Sequence, residues 1–159
     1  MNTLRQLLVL MRPHQWLKNV FVFAGLLFGH AWHEGPLVLR AALAFAAFCC
    51  MSSLVYILND WRDRASDALH PDKRHRPLAS GAVGTPAALA LAALLGLAGV
   101  AFAFDNRVLL LLLALYVALN LAYSWRLKHV PVVDVSIIAT GFMLRLLAGT
   151  SAVGIPPSR

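Results

Sequence analysis

Residues 36–58 read PLVLRAALAFAAFCCMSSLVYIL, an apolar run whose one formal charge is Arg40. A membrane-spanning helix needs roughly 20 mostly apolar residues, so this run is long enough to cross a bilayer. It leads directly into NDWRDRASDALHPDKRHRP, residues 59–77, where four aspartates and five lysines or arginines fall within nineteen residues. The two stretches together predict a membrane helix that ends at a polar site on the membrane surface.

The composition of the whole chain also indicates a membrane protein. Its 159 residues are 60% hydrophobic and 13% charged, whereas soluble domains carry about a quarter charged residues. The net charge of +7 does not indicate a nucleic-acid partner, because the cations flank apolar runs as they do in membrane proteins. The adjacent Cys49 and Cys50 lie inside an apolar run and indicate neither a disulfide framework nor a metal site.

Five apolar segments are candidates for membrane spans. They are predicted at about residues 17–32, 36–58, 85–104, 108–125 and 131–153. The first is short and carries Lys18 and Asn19 at its start, and no cleavage site closes it, so we expect a retained anchor. The sequence therefore predicts an all-α, multi-pass transmembrane helical bundle surrounded by membrane lipids.

Lysine and arginine are unevenly distributed between the two ends of these segments. One side collects ten of them and the other three, Arg40, Arg107 and Arg159, with Arg145 set aside inside the fifth segment. Because cytoplasmic loops carry the excess of lysine and arginine, we expect the N-terminus, residues 59–77 and residues 125–130 in the cytoplasm. The predicted location is the plasma membrane.

The charged segment places its acidic residues on one side if the second span continues through it as a helix. At about 100° per residue, Asn59, Asp63 and Asp67 fall near 0°, 40° and 80°, and Asp60 near 100°. Carboxylates so close repel one another, and a divalent cation removes that repulsion. Mg²⁺ takes a few carboxylate oxygens and completes its shell with water and substrate phosphates. The four residues are therefore a predicted Mg²⁺ site.

A basic cluster follows the acidic face. Lys73, Arg74 and Arg76 are suited to bind phosphate oxygens, so the two clusters together predict a site for a magnesium–diphosphate complex. The alternative is an ordinary charged loop in which Arg62 or Arg64 pairs with the aspartates at the surface.

Several motifs resemble those of the UbiA superfamily of intramembrane prenyltransferases. NDWRDRASD and HPDKRHRPLASG look like that superfamily's first aspartate-rich motif and the basic loop after it. YSWRLK (residues 123–128) and VPVVDV (residues 130–135) match in the same order. The resemblance implies a bundle of about nine helices, whose cavity holds an isoprenoid diphosphate through Mg²⁺ and two aspartate-rich motifs.

The resemblance also implies residue roles. Asn59, Asp63 and Asp67 would contact Mg²⁺ and the donor diphosphate, with Asp60 adjacent, and Lys73, Arg74 and Arg76 would hold phosphate groups. Three further residues reach the same cytoplasmic mouth as candidate substrate contacts: Lys18, Tyr123 and Lys128. For Lys18 and Lys128 the alternative is a role as positively charged membrane anchors.

The beginning and end of the chain are similar to one branch, the decaprenyl-phosphate phosphoribosyltransferases. The matching stretches are RPHQWLKNVFVFAGLLFG, residues 12–29, and GFMLRLLAG, residues 141–149. This branch implies phosphoribosyl diphosphate as donor and a polyprenyl phosphate as acceptor. Because a prenyl diphosphate would use the same diphosphate contacts, an aromatic prenyltransferase remains the alternative.

Two features of the fifth segment complete the sequence-based expectations. Asp134 is the one acidic residue after residue 105, so a second aspartate-rich motif is not found, and the chain resembles the first half of such an enzyme. An inactive fragment or a non-enzymatic membrane component is therefore a further alternative. Arg145 lies deep in the segment, where a charge costs several kcal/mol, and we expect it to face the bundle interior.

Overall fold

The computed structural model describes residues 3–127 and 131–154, and it describes side chains outside residues 126–134. The described residues form six α-helices. These are α1 (Thr3–Met11), α2 (Ala24–Phe28), α3 (Gly35–Leu69), α4 (Thr85–Ala103), α5 (Arg107–Ala122) and α6 (Pro131–Val153). A 3-10 helix (Pro13–Phe23) joins α1 to α2, and a π-helix (Tyr123–Leu127) extends α5. The all-α prediction is confirmed.

Four of the described helical segments are long and apolar enough to cross a membrane. They are Gly35–Leu69, Thr85–Ala103, Arg107–Trp125 and Val135–Val153. These correspond to the second to fifth predicted spans. α3 is longer than its predicted span because the helix continues through the charged segment to Leu69.

The first predicted span, residues 17–32, is wrong as a continuous α-helix. The segment instead consists of the end of the 3-10 helix and the five-residue α2. Two residues with positive φ, Arg12 (54°) and His30 (53°), lie on either side of the 3-10 helix and α2. Pro13, which has no backbone N–H, opens the 3-10 helix.

Tertiary contacts explain why the segment takes up three residues per turn. At that pitch, side chains three residues apart lie above one another, so Trp16, Asn19 and Val22 share one face. Trp16 Nε1 donates to Ser53 Oγ of α3 (2.9 Å). Asn19 Nδ2 donates to Ser52 Oγ (3.3 Å), and Val22 is fully buried in the core. Because of the 3-10 pitch, one residue from each of three consecutive turns faces the other helices.

α3 is the central helix, in contact with α1, the 3-10 helix and α2, α4, α5 and α6. Its buried face contributes Ala44, Ala47, Phe48, Met51 and Val55 to the largest apolar cluster, which also includes residues of α5 and α6. Small side chains let these helices approach closely, as is usual in membrane bundles.

α6 crosses the end of the 3-10 helix at two glycines. A Cβ atom on Gly149 would overlap the Val22 carbonyl oxygen, and one on Gly25 would lie 2.7 Å from the Gly149 backbone. Both contacts are with backbone, which cannot rotate away as a side chain can. The two glycines therefore let α6 pack closely against the end of the 3-10 helix and the start of α2.

Candidate functional site

The charged segment is helical as far as Leu69, so the predicted acidic face exists. Asn59, Asp63 and Asp67 are spaced by four residues within continuous α3 and lie on one side of it. α3 ends at His70, whose backbone is extended, and Pro71 follows. The helix end turns the chain back, so that the basic residues of the loop return to the acidic face.

Two of the aspartates are buried and paired with cations. Asp60 and Asp67 are each 4% exposed. Arg76 Nη1 bridges them, at 3.1 Å from Asp60 Oδ1 and 2.8 Å from Asp67 Oδ2. Arg12 Nη2 lies 2.6 Å from Asp60 Oδ1, and Lys73 Nζ lies 4.0 Å from Asp67 Oδ1. We call these five residues the carboxylate cluster.

The carboxylate cluster differs from the sequence-based picture in its arrangement. The sequence predicted an acidic face at the water surface followed by a separate basic group. In the structure the basic side chains contact the two aspartates directly, and both aspartates are buried while Lys73 is exposed. The prediction that Asp67 faces water is wrong, because the returning loop and its Arg76 cover it. Arg74, by contrast, is exposed and donates from Nε to His75 Nε2 (3.4 Å).

Arg62 and Arg64, the two arginines considered as surface partners of the aspartates, contact other groups. Arg62 donates to the carbonyl oxygens of Ser124 and Trp125 in the π-helix. Arg64 donates to the Trp61 carbonyl oxygen (3.0 Å), and its guanidinium lies 5.8 Å from the Trp61 ring centroid. Arg62 thus connects the acidic part of α3 to the residues of the YSWRLK motif.

The predicted Mg²⁺ site can be tested against the oxygen atoms available. Within the described residues, no three His, Cys, Asp or Glu side chains are grouped closely enough to hold a metal ion. Asn59 Oδ1, however, is a buried acceptor with no hydrogen-bond partner in that part of the chain, and Asp63 is half-buried on the same face. These oxygens fit a Mg²⁺ that takes one or two carboxylates and otherwise binds phosphate and water, rather than a closed cage.

A cavity of about 340 Å³ lies next to the carboxylate cluster. Tyr56, one helical turn before Asp60, lines it, and the Arg12 guanidinium lies 5.1 Å from the Tyr56 ring centroid. The polar residues that line this inner cavity are Lys18, Tyr56, Tyr116, Asn120, Tyr123 and Arg145. Two predicted substrate contacts, Lys18 and Tyr123, are therefore together in one cavity, and Lys128 lies outside the described residues.

Arg145 faces the bundle interior, as expected, and is 6% exposed. Its three nitrogens donate to Asn19 Oδ1 (2.8 Å, from Nε), Gly141 O (2.7 Å, from Nη1) and Tyr116 Oη (3.3 Å, from Nη2). The guanidinium carbon is 4.9 Å from the Tyr116 ring centroid and 5.6 Å from that of Phe48. A set of neutral oxygens and aromatic rings thus surrounds an intramembrane cation.

Sequence reasoning missed four residues of this region: Arg12, Asn19, Tyr56 and Tyr116. Arg12 was assigned only to the positive side of the membrane, although its place at the start of the branch-specific RPHQWLKN stretch was a signal. The three-residue spacing of Trp16, Asn19 and Val22 was a second signal, because in a 3-10 helix these residues share one face. The prediction of an α-helix there obscured this spacing. Tyr56 and Tyr116 carried none, because tyrosines in apolar spans are common.

Comparison with known proteins places the chain in a family. A profile described as the UbiA prenyltransferase family matches residues 19–158. The chain belongs to the UbiA prenyltransferase family. The match includes the acidic part of α3, the returning basic loop and α6.

Individual UbiA-family relatives are similar over nearly the whole chain. A decaprenyl-phosphate phosphoribosyltransferase of Mycolicibacterium smegmatis is 37% identical over 99% of this chain and 51% of its own length. One of Corynebacterium glutamicum is 40% identical over 94% of this chain and 46% of its own length. The nodulation protein NoeC of Azorhizobium caulinodans is 39% identical over 91% of this chain and 47% of its own length. The chain thus spans about half the length of these relatives.

Proposed function

We propose that this chain is part of a membrane transferase that binds a magnesium–diphosphate donor and a polyprenyl lipid. The reaction we favour moves phosphoribose from phosphoribosyl diphosphate to a polyprenyl phosphate such as decaprenyl phosphate. The observation that carries the proposal is the carboxylate cluster, in which Asp60 and Asp67 lie among Arg12, Lys73 and Arg76. The names of the mycobacterial and corynebacterial relatives support the choice of substrates.

The residues of the cluster have complementary roles in donor binding. Arg12, Lys73 and Arg76 supply three cations to phosphate oxygens, and the guanidinium groups match phosphate in a two-pronged geometry. Asn59, Asp63 and Asp67 supply oxygens on the same face of α3, where Mg²⁺ would be held, with Asp60 positioning Arg12 and Arg76. The ion supplies positive charge that stabilises the leaving diphosphate. Exposed Arg74 adds charge at the loop surface.

The chemistry follows from the bond that breaks. An oxygen of the acceptor phosphate forms a bond to the anomeric carbon of the ribose, while the bond from that carbon to the diphosphate oxygen breaks. The electron pair leaves with the diphosphate, where negative charge grows in the transition state. Arginine and lysine side chains fixed beforehand around this charge lower the barrier electrostatically. The apolar helices accommodate the isoprenoid tail of the lipid.

The proposed setting is the plasma membrane, with the carboxylate cluster on the cytoplasmic side. The excess of lysine and arginine at that end supports this orientation. A water-soluble donor would then enter from the cytoplasm.

One alternative follows from the name of the family itself, which is that of prenyltransferases. An aromatic prenyltransferase would hold a prenyl diphosphate at the same cluster, and an aromatic ring would attack its allylic carbon. The nodulation protein, at a similar level of identity, has a name that does not mention phosphoribosyl transfer. A non-enzymatic membrane component, or an inactive fragment, is the remaining alternative.

The test uses membranes that contain the full-length protein. They are incubated with labelled phosphoribosyl diphosphate, Mg²⁺ and polyprenyl phosphate, and label is expected in the lipid phase with release of diphosphate. Prenylation of an aromatic acid from a prenyl diphosphate, with label remaining in water, would replace our proposal by the first alternative. Solute flux without turnover of either donor would favour a non-enzymatic component.

A further inference from the structure

The inner cavity contains a positive charge that its described surroundings do not balance. Arg145 is almost fully buried, and its hydrogen-bond acceptors, Asn19 Oδ1, Gly141 O and Tyr116 Oη, are all neutral. A charge at membrane depth is costly, and such residues are usually paired or face a water-filled cavity. Arg145 lines the inner cavity, so its charge is directed at that space.

Among the described side chains, none of the hydrogen-bond acceptors of Arg145 is acidic. Asp60 is engaged by Arg12 and Arg76. Among the described residues that line the inner cavity there is no carboxylate.

Within the part of the chain that the structure describes, Arg145 also has N–H groups without an acceptor. A guanidinium has five N–H groups, one on Nε and two on each Nη. The three hydrogen bonds use one N–H on each nitrogen. One N–H therefore remains on each Nη atom, the fork that matches two oxygens of a phosphate.

A second cation and several hydroxyl groups line the same cavity. Lys18 is exposed on the 3-10 helix, one residue before the Asn19 that holds Arg145 Nε. Tyr56 and Tyr123 add phenol groups, while Ile137 and Phe142 form an apolar wall. Two cations, hydrogen-bond donors and no described carboxylate favour an anion with a small polar head.

We propose that the inner cavity binds a phosphate monoester through Arg145 and Lys18, separately from the diphosphate at the carboxylate cluster. The inference rests on the proposed function, whose two substrates both carry such a group. One source is the 5-phosphate of the ribosyl donor, and the other is the phosphate of the polyprenyl acceptor. The cavity borders the cluster through Tyr56, so either phosphate would lie beside the reacting diphosphate.

The test is a binding measurement on the full-length protein in detergent micelles, without divalent metal. Isothermal titration calorimetry is performed with ribose 5-phosphate and, separately, with farnesyl phosphate. The variants are Lys18→Gln and Arg145→Gln, and the matched control is Arg40→Gln, which removes an exposed cation of α3 outside the inner cavity. The Kd of at least one monoester is expected to rise about tenfold or more in both test variants and to stay unchanged in the control.

The pattern of results identifies the source of the phosphate. If the variants bind only ribose 5-phosphate more weakly, the cavity holds the 5-phosphate of the donor. If they bind only farnesyl phosphate more weakly, the cavity holds the phosphate of the acceptor. Because Lys18 is exposed, Lys18→Gln decides the matter even if Arg145→Gln does not fold. Failure of the wild-type protein to bind either monoester, or equal Kd values in wild type and Lys18→Gln, overturns the inference.

The transfer assay separates this inference from the proposed function. Transfer of labelled phosphoribose with monoester affinities unchanged in Lys18→Gln would leave the function intact and remove the phosphate site. Monoester binding that weakens in Lys18→Gln, without transfer from phosphoribosyl diphosphate, would support the phosphate site and contradict the proposed function.

Discussion

Arg76 contacts both buried aspartates of the carboxylate cluster with one nitrogen atom. The side chain comes from the returning loop, so the folding of that loop and the pairing of the acidic residues are one event. Arg12, from the N-terminal part of the chain, makes the same kind of contact with Asp60, 48 positions away. The cluster therefore joins two distant parts of the sequence by charge.

The first prediction concerns turnover by the full-length protein. Asp63→Asn and Asp67→Asn are each expected to reduce the rate of diphosphate release by at least about tenfold, because each removes negative charge from the face where Mg²⁺ would be held. The measurement is release of diphosphate by purified membranes at saturating donor. Asp72→Asn, an exposed aspartate of the same loop, is the control and should keep wild-type turnover. Full activity in both test variants would remove the metal-site proposal.

The second prediction concerns stability at the same cluster. Asp60→Asn leaves Arg12 and Arg76 without their shared carboxylate, and both arginines are largely covered, at 24% and 31% side-chain exposure. Unfolding free energy is expected to fall by about 1–3 kcal/mol, measured as a lower Tm in detergent. Asp72→Asn again serves as control, and equal Tm values for the two variants would contradict the assigned ion pairs.

Helical periodicity alone predicted which side of α3 carries Asn59, Asp63 and Asp67. It did not predict the partners of those residues, because Arg12 is 48 positions from Asp60 and pairing over such a distance depends on how the helices pack. For the same reason Arg145 was predicted to face inward, while its contact with Asn19, 126 positions away, was not readable from the sequence.

Among the helices, the sequence predicted those whose apolar runs are unbroken. α3, α4, α5 and α6 each begin within one residue of their predicted spans, because a long apolar segment in lipid satisfies its own backbone only as a helix. The 3-10 helix was missed because its pitch is set by contacts with Ser52 and Ser53 of α3 rather than by local composition.

The third prediction tests the crossing of the 3-10 helix and α6. Gly149→Ala places a methyl group against the Val22 carbonyl, and overpacking of this kind costs about 1–3 kcal/mol. We expect a lower Tm and less protein in the membrane. Gly35→Ala is the matched control, since nothing lies within 4 Å of a Cβ built there. Equal stability of the two alanine variants would show that the helices do not touch at Gly149.

Across the whole molecule, the two ends of the bundle differ in charge, and this difference supports the proposed orientation. Arg12, Arg62, Lys73 and Arg76 lie at the end that carries the carboxylate cluster. Arg40 and Arg107 line a second cavity of about 390 Å³, which contains no residue of the carboxylate cluster. Asp105 and Asn106 line the same cavity.

The fourth prediction is the topology. Single cysteines at His70→Cys and Asp105→Cys, both exposed positions, are introduced with Cys49 and Cys50 replaced by serine. Position 70 is expected to react with a membrane-impermeant thiol reagent only after cells are opened, and position 105 in intact cells. Asp105 is preferable to its neighbour Asn106, whose side chain caps α5 by accepting from Leu109 N (2.9 Å). Labelling of position 70 in intact cells would reverse the orientation.

The length of α3 sets the depth at which the proposed chemistry takes place. Its 35 residues extend about 52 Å, whereas the hydrocarbon layer of a bilayer is about 30 Å thick. With Gly35 at one boundary of that layer and the helix near the bilayer normal, Asp60 and Asp67 stand roughly 8 and 18 Å beyond the other. The headgroups add about 5–8 Å on each side of the hydrocarbon layer, so Asp60 stands at their outer edge and Asp67 about 10 Å further into the water. The phosphate of a polyprenyl lipid already resides in the headgroup layer, next to the level of Asp60. Such a lipid would arrive by lateral diffusion within one leaflet and need not be lifted from the membrane, so leaflet composition rather than aqueous solubility would govern its supply.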